Sequence, residues 1–450
     1  MERRGQQGNV RHKATPNALR GEMLVPQAYV WLKVAGRNRE TRFNNLLHQI
    51  SIPLLRCAYQ MLGKSKASGV DRVTKAQYGK ELEANLEDLH ARIHRGSYHT
   101  KPARIVHIPK ADGRLRPIAI SIIEDKIVQG AVAMVLEAIY ETVFLDSSLG
   151  FRPKRGCHKA IKRVFHLLKD GERKVVIDVD IEKFFNSMNH DKLLEFMGER
   201  IVDKRFLRLI WKLLKAQSRD GEKVSVNEVG SPQGSVASPI LANIYLHYVL
   251  DEWFEEHWAN HHQQMVRYAD DVIFCFKQRA SAEEFLMALK ERMSQSHLRL
   301  NDAKTKIVSF AKEQYEVFHF LGFTFYWGKD RKRNYCLKLK TEAQKFRAKI
   351  LEFKLWIQQN RNRFKLRILW EEAKVKLRGH YAYYAIHHNC KTWHYYHICL
   401  KLLMKWLNRR SQKRSFSWNG LLMKLKTNPL PRPYLANRVT FEQDVFAFAL

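Results

Sequence analysis

The chain has 450 residues, 45% hydrophobic and 11% aromatic, with 79 Lys+Arg against 45 Asp+Glu and a formal charge of +34. This length and apolar content exclude a disordered chain and a single small domain. No apolar run approaches the roughly 18 residues of a membrane span. The polar, basic start MERRGQQGNVRHKATPNALRG lacks the apolar core of a secretory signal, so a cytoplasmic protein with no membrane partner is expected. Cys57, Cys157, Cys275, Cys336, Cys390 and Cys399 form no CxxC pair, which speaks against a zinc ribbon and a disulfide framework. HHNC at 387–390 and HYYHIC at 394–399 match no usual zinc spacing and are read as aromatic core packing.

In chain order, residues 1–40 read as a flexible basic arm. From Arg42 to about Leu89 apolar residues recur at helical spacing (Leu46, Leu47, Ile50, Leu54, Leu55), interrupted by the turn-like SKASGVD at 65–71. ARIVHIPKADGRLRPIAIS, 103–121, predicts a hairpin turning at Asp112 and Gly113, and helix is expected from Glu124 to about Leu145. KVVIDVDIEKFF, 174–185, opens as a buried strand. SPILANIYLHYVLDEWFEEHW, 238–258, predicts a helix capped by Ser238 with Pro239 at its first position. MVRYADDVIFCF, 265–276, reads as strand, turn, strand, and FHFLGFTFYW, 318–327, as a second strand pair. After about 340 the pattern is helical to roughly Met423, and Pro429, Pro431 and Pro433 then break it. Strands and helices mixed without βαβ alternation, followed by a helical module, predict an α+β domain plus an all-helical one.

The charge is uneven. Residues 331–450 carry 27 Lys+Arg against 6 Asp+Glu, a net of +21. Among them are Trp356, Trp370, Tyr381, Tyr383, Tyr384, Trp393, Tyr395, Tyr396 and Trp406, expected to be available for stacking on bases or ribose. Such an excess over a whole domain implies a polyanionic partner rather than a merely solvated face.

Carboxylates placed on strands are the second signal. In VVIDVDIEKFF, Asp178 and Asp180 share one face by the period of two. In YADD, Asp270 and Asp271 lie at a turn between apolar strands. Acids there are costly unless paired or metal-bound. If the fold joins the two segments, at least three acids cluster, a set suited to hard divalent cations and to phosphoryl transfer with two metals. Unconnected turn or surface acids are the competing reading. Lys110 and Arg116 sit on opposite arms of the hairpin, GSPQGSVASP (230–239) lets backbone approach a ligand closely, and Lys304 is a candidate proton donor to pyrophosphate.

The ordered series IPKADGRLRP, GFRPKRGCHKAI, DVDIEKFFNSMNH, GSPQGSVASPILANIYL, RYADD, LRLNDAKTKIV and HFLGFTF resembles the blocks of a reverse transcriptase. More narrowly, it is similar to the bacterial group II intron reverse transcriptase/maturase. SKASGVDRVT resembles that family's fingers, and KLRGHYAYYAI (376–386) and WLNRRSQKRSFSW (406–418) its thumb or maturase region. The resemblance implies a right-hand polymerase: fingers over 41–170, a palm with an antiparallel sheet over 171–335, a helical basic thumb over 336–435 and a tail over 436–450. It makes Asp180 and Asp270 metal ligands with Asp271 as third acid, and gives the carbonyl of Ile181 a place in the same shell. Phe185 becomes the bulky gate against a ribose 2′-hydroxyl. Lys110 and Arg116 grip the triphosphate, Gln233 packs on the incoming base pair, Lys304 contacts the nucleotide and Gly322 forms the primer grip.

The implied cofactor is Mg²⁺, two ions, with Mn²⁺ as a substitute. The implied partners are an RNA template (group II intron RNA), a DNA primer or target, and dNTPs. The chain departs from the family pattern at Asn186, where Asp is common, and at Leu149, where Tyr is common; neither is expected to reach the metals. No HNH-type endonuclease module follows the thumb, so the shorter class is expected. Two further readings stay open at this level: a splicing cofactor that does not polymerise, and a domesticated enzyme of host DNA repair.

Overall fold

The computed structural model describes residues 27–63, 67–109, 113, 115–410 and 417–433. The strands in chain order are β1 (Ala103–Pro109), β2 (Leu115–Ile120), β3 (Val175–Asp180), β4 (Gln217–Asp220), β5 (Lys223–Val226) and β6 (Gln264–Tyr268). They continue with β7 (Asp271–Phe276), β8 (Lys306–Ser309), β9 (Phe318–Phe320), β10 (Phe323–Lys329) and β11 (Tyr335–Thr341).

The central sheet has the order β6-β7-β3-β8, antiparallel throughout, and is built from the β-branched and aromatic runs VVIDVD and DVIFCF. Alternation divides it into two faces. Val175, Ile177 and Val179 of β3 join Val272, Phe274 and Phe276 of β7 in the larger core, against the helix Arg279–Gln295. Val176, Ile273 and Cys275 face the other way, into a second core with the helix Cys157–Leu168 and the aromatic sheet β11-β10-β9. Asp178, Asp180 and Asp271 have the parity of that second face.

The N-terminal half contributes the third sheet, order β2-β1-β4-β5. The β1–β2 hairpin is antiparallel, as its sequence predicts, whereas β1 meets β4 in parallel, so the antiparallel expectation holds for the central sheet and not for every pair. The long helix Ile123–Tyr140 underlies this half and is buried on nearly every side. The expected flexible arm over 1–40 is corrected in part. Residues 1–26 lie outside the described residues, but Gln27–Gly36 is a helix packed on Ile123–Tyr140 with Leu32 buried. Its sequence QAYVWLKVAG is apolar enough to dock.

Beyond β11 the chain is helical: Ala343–Asn360, Leu366–Tyr384, Lys391–Leu407 and Trp418–Thr427 around their own core. The boundary expected at 336 falls inside β11, because the alternation of YCLKLKT pairs along β10 before helical spacing begins. The expected 436–450 tail lies outside the described residues. No described helix is long and apolar enough to cross a membrane.

The expected stacking aromatics are corrected here. Trp370, Tyr381, Tyr384, Tyr395, Tyr396 and Trp406 are buried, Trp356 and Tyr383 are half-buried, and Trp393 alone of the nine is exposed, at 44%. Their area is what a small helical module has with which to build a core. Cations cover several ring faces instead, with Arg361 and Arg409 each 5.1 Å from the Trp406 ring centre.

Phe285 anchors the helix Arg279–Gln295 to the sheet, with no exposed surface and ring centres of Phe274, Trp258 and Phe276 at 4.6, 5.1 and 5.2 Å. Phe285→Ala should therefore cost about 3–5 kcal/mol, measured as a lowered urea midpoint; a change within 1 kcal/mol would place the anchor elsewhere.

Candidate active site

β3 and β7 pair so that Asp180 faces Asp271 directly, with Asp178 opposite Ile273 one step further along the same face. Asp270 falls between β6 and β7 in a turn whose Ala269 has φ +59°. A left-handed alanine costs roughly 1–2 kcal/mol, so the surroundings must hold it there. The two acidic segments, 90 positions apart, thus meet at one end of the sheet.

Asp178, Asp180 and Asp271 open into a cleft of about 510 Å³, and Asp270 lies outside its lining. Asp178, Asp180, Asp271 and Lys304 line one side; the β9–β10 turn, Lys345, Tyr383 and Tyr384 line the other. Lys304 Nζ donates to both Asp180 oxygens, at 3.1 and 3.3 Å. The Lys304 side chain is 59% exposed, so the pair contributes at most about 1 kcal/mol.

Burial, then repulsion from Asp270 and Asp180, pushes Asp271 up to about 6, with Lys304 and Lys345 opposing. Asp178 is pushed up to about 7 by burial, then by Asp271 and Asp180, with Lys306 opposing. Asp270 is also raised, chiefly by burial, with Asp180 adding and its own backbone N–H, Arg116 and Arg267 opposing. Among the described residues no three His, Cys, Asp or Glu side chains converge into a ready metal-holding group. Asp180 is instead paired with Lys304, whose charge offsets part of the repulsion among the acids. The donor set still fits a hard divalent cation: it is all carboxylate oxygen, and burial together with mutual repulsion raises the pKa of Asp178, Asp270 and Asp271.

The remaining expected residues are placed as follows. Ile181 is buried and bridges to Leu300, extending β3 past the acids. Phe185 is half-buried, its ring centre 5.4 Å from Phe184. Gln233 Nε2 donates to Asn186 Oδ1 at 3.3 Å, and the Gln233 carbonyl accepts from Ala119 N of β2 at 2.7 Å. The 230–236 loop therefore bridges β2 and the Phe185–Asn186 segment. It fits closely: Gly230 has φ +83°, and a Cβ there would sit 2.7 Å from Asn186 backbone. Gly322 has φ +77° in the β9–β10 turn, whose Leu321 carbonyl accepts from Tyr383 Oη at 2.9 Å. Arg116 is exposed on β2 and reaches the site through its effect on Asp270, outside the lining of the cleft. Lys110 lies outside the described residues. Ser238 does not cap its helix: the helix begins at Ser238, whose hydroxyl donates to the Pro232 carbonyl at 3.0 Å. Of the two departures, Leu149 is buried behind the acidic turn, where its N–H donates to the Arg267 carbonyl at 2.8 Å.

Sequence reasoning missed the support behind the turn. Arg267, fully buried on β6, forks onto Asp251, also fully buried, with Nε 2.7 Å from Oδ1 and Nη2 on Oδ2. Its Nη1 donates to Asn243 Oδ1 at 3.0 Å and to the Ala269 carbonyl at 3.1 Å, while Asn243 Nδ2 donates to the Gly150 carbonyl at 2.8 Å. The available signal was one charge inside each of two apolar runs, MVRY and YVLD, since a buried charge demands a partner.

A model described as reverse transcriptase (RNA-dependent DNA polymerase) matches residues 108–325. Protein YkfC of Escherichia coli is 36% identical over 275 residues, 53% of this chain and 71% of that protein. Group II intron-encoded protein LtrA of Lactococcus lactis is 34% identical over 191 residues, 42% of this chain and 32% of its own length. A 91 kDa protein in the cob intron of Schizosaccharomyces pombe is 44% identical over 158 residues, 35% of this chain and 19% of its own. The chain thus matches less than a third of the length of the two intron proteins.

An acid raised in the folded state is protonated there but ionised in the unfolded chain between its two pKa values, so its contribution to stability falls as pH rises through that window. For Asp178 the window runs from the ordinary carboxylate range to about 7. Asp178→Asn should therefore stabilise the chelator-treated protein at pH 8 by up to roughly 4 kcal/mol, with the gain fading as pH falls below 6. Equal melting of variant and wild type at pH 8 would show that Asp178 is not under charge stress.

Proposed function

The chain belongs to the family of reverse transcriptases, on its group II intron-encoded branch, and from that premise we propose that it copies RNA into DNA at the Asp180–Asp271 cleft. The observation that carries this reading is the cross-strand pairing of Asp180 with Asp271 beside Asp270. It supports the reading by setting Asp180 against Asp271 at one sheet end, next to Asp270 in the chain, in a protein of charge +34 suited to a nucleic acid. Group II intron RNA is the proposed template, a DNA end or target the primer, and the cytoplasm the setting.

Asp180, Asp270, Asp271 and the Ile181 carbonyl would hold two Mg²⁺, with Mn²⁺ as a substitute. Bound there, the ions would supply Lewis acidity to the primer 3′-hydroxyl and to the leaving pyrophosphate. The protein's own residues do the rest. Lys304, whose hydrogen bond to Asp180 places it at the acids, would reach the pyrophosphate oxygens and protonate the leaving group. Arg116, with Lys110 from the other arm, grips the triphosphate. Phe185 would be the side chain that collides with a 2′-hydroxyl, and Gln233, whose ties to Asn186 and Ala119 support the role, would floor the templating pair. The β9–β10 turn at Gly322, held by Tyr383, grips the primer strand. A reading without polymerisation, as a splicing cofactor alone, is disfavoured because every expected acid is present and the register joins two of them.

Primer extension on an RNA template with Mg²⁺ and dNTPs tests the proposal. Asp270→Asn should abolish synthesis while RNA affinity stays within a few-fold, because the acid serves metals and not RNA. Absence of synthesis by a folded, RNA-binding wild type would move the function to splicing alone. Phe185→Ala should raise ribonucleotide incorporation at least about tenfold relative to dNTP; unchanged sugar selectivity would remove the gate.

A further inference from the structure

We infer that Arg267 is a positioning residue for catalysis: through its hydrogen bond to the Ala269 carbonyl it holds the acidic turn in the left-handed conformation that aims Asp270. The inference rests on the proposed role of Asp270 and goes beyond it by naming what sets that side chain's direction.

Four observations converge. Ala269 adopts φ +59°, a conformation a free alanine leaves, so something must restrain the peptide that joins it to Asp270. The carbonyl of that peptide accepts from Arg267 Nη1 at 3.1 Å. The guanidinium cannot swing away, because its other donors are fixed on Asp251 and Asn243, and all three side chains are at most 1% exposed. The turn is pinned from behind as well: a Cβ on Gly150 would lie 2.2 Å from Ala269 N, and Asn243 holds the Gly150 carbonyl in place.

The helix that carries the other two residues is shaped for the task. Ser238–Leu246 continues through the π-helical segment His247–Asp251 into Glu252–His257. Eight residues separate Asn243 from Asp251, which in a regular α-helix turns them apart by about 80°. A π segment absorbs about one residue, which returns Asp251 to the face of Asn243, so both reach Arg267. A break in the helix that aligns two partners on one buried guanidinium, itself bonded to the catalytic turn, explains the presence of an ion pair in an otherwise apolar core.

The test replaces the pair without leaving a charge unpaired. Arg267→Met with Asp251→Leu keeps the volume apolar, a change buried ion pairs tolerate. The double variant should fold and bind RNA as wild type does. Its rate of single-nucleotide incorporation should fall by about 10- to 100-fold and its half-saturating Mg²⁺ should rise, with KM for dNTP little changed. Adding Ala269→Gly should recover part of the rate, because glycine occupies the left-handed region without restraint. Wild-type rate and Mg²⁺ dependence in the double variant would overturn the inference. So would a loss that falls equally on RNA affinity and dNTP KM, which marks a merely structural role. If the double variant does not fold, Arg267→Lys is measured in the same way: it keeps the charge on Asp251 but loses the fork, and the same split supports the inference while a wild-type rate overturns it. Asp270→Asn run alongside separates the two claims. Synthesis that survives Asp270→Asn removes the reading of the site itself, whereas its loss together with an active double variant removes only the role of Arg267.

Discussion

Two aspartates opposite one another in an antiparallel sheet repel, and the architecture here is organised around tolerating that pair. The pairing of β3 with β7 places Asp180 against Asp271 because the other face of both strands is committed to the core. Slipping the register by one residue would turn Val179, Val272 and Phe274 out of that core and the acids into it. The hydrophobic effect on one face thus enforces an electrostatic cost on the other. Lys304 and Lys306 from one segment and Lys345 from another offset part of it and leave a site that attracts further positive charge.

The turn between β6 and β7 adds a second constraint. It must present an acid beside that pair while its backbone runs through a left-handed alanine. Nothing local secures such a turn. The 147–150 segment, which hydrogen-bonds along β6, and the helix beginning at Ser238 both close on it, so segments from before and after β3 are tied together at this point. The 230–236 loop does the same between β2 and Phe185. Phe185, Gln233 and the acidic turn are therefore held by hydrogen bonds between elements rather than within them.

The helical region shows how one composition serves two roles. Its aromatics are spent on a core, and its Lys and Arg remain outside, several lying over the rings. Attraction for a polyanion then rests on charge more than on stacking, which makes binding sensitive to salt. The region also reaches the site directly, because Tyr383 and Tyr384 at the end of Leu366–Tyr384 line the acidic cleft.

Strand alternation in VVIDVD and DVIFCF, the hairpin at 103–121 and the helical spacing after β11 were legible because each is a local periodicity, and periodicity is set by backbone geometry. The acids were legible for a related reason: a carboxylate in an apolar strand is a local contradiction. What lay beyond the sequence was every choice among partners. Whether Trp370 stacks on a base or fills a core, whether Ser238 caps a helix or bonds Pro232, and which cation faces Asp180 depend on segments far apart in the chain. The buried fork of Arg267 on Asp251, with Asn243 beside it, is of the same kind. The sequence by itself determined the elements, the acidic positions and the basic excess; only the tertiary structure decided the register that sets Asp180 against Asp271 and the support that aims Asp270, because packing two faces at once is a property of the whole core.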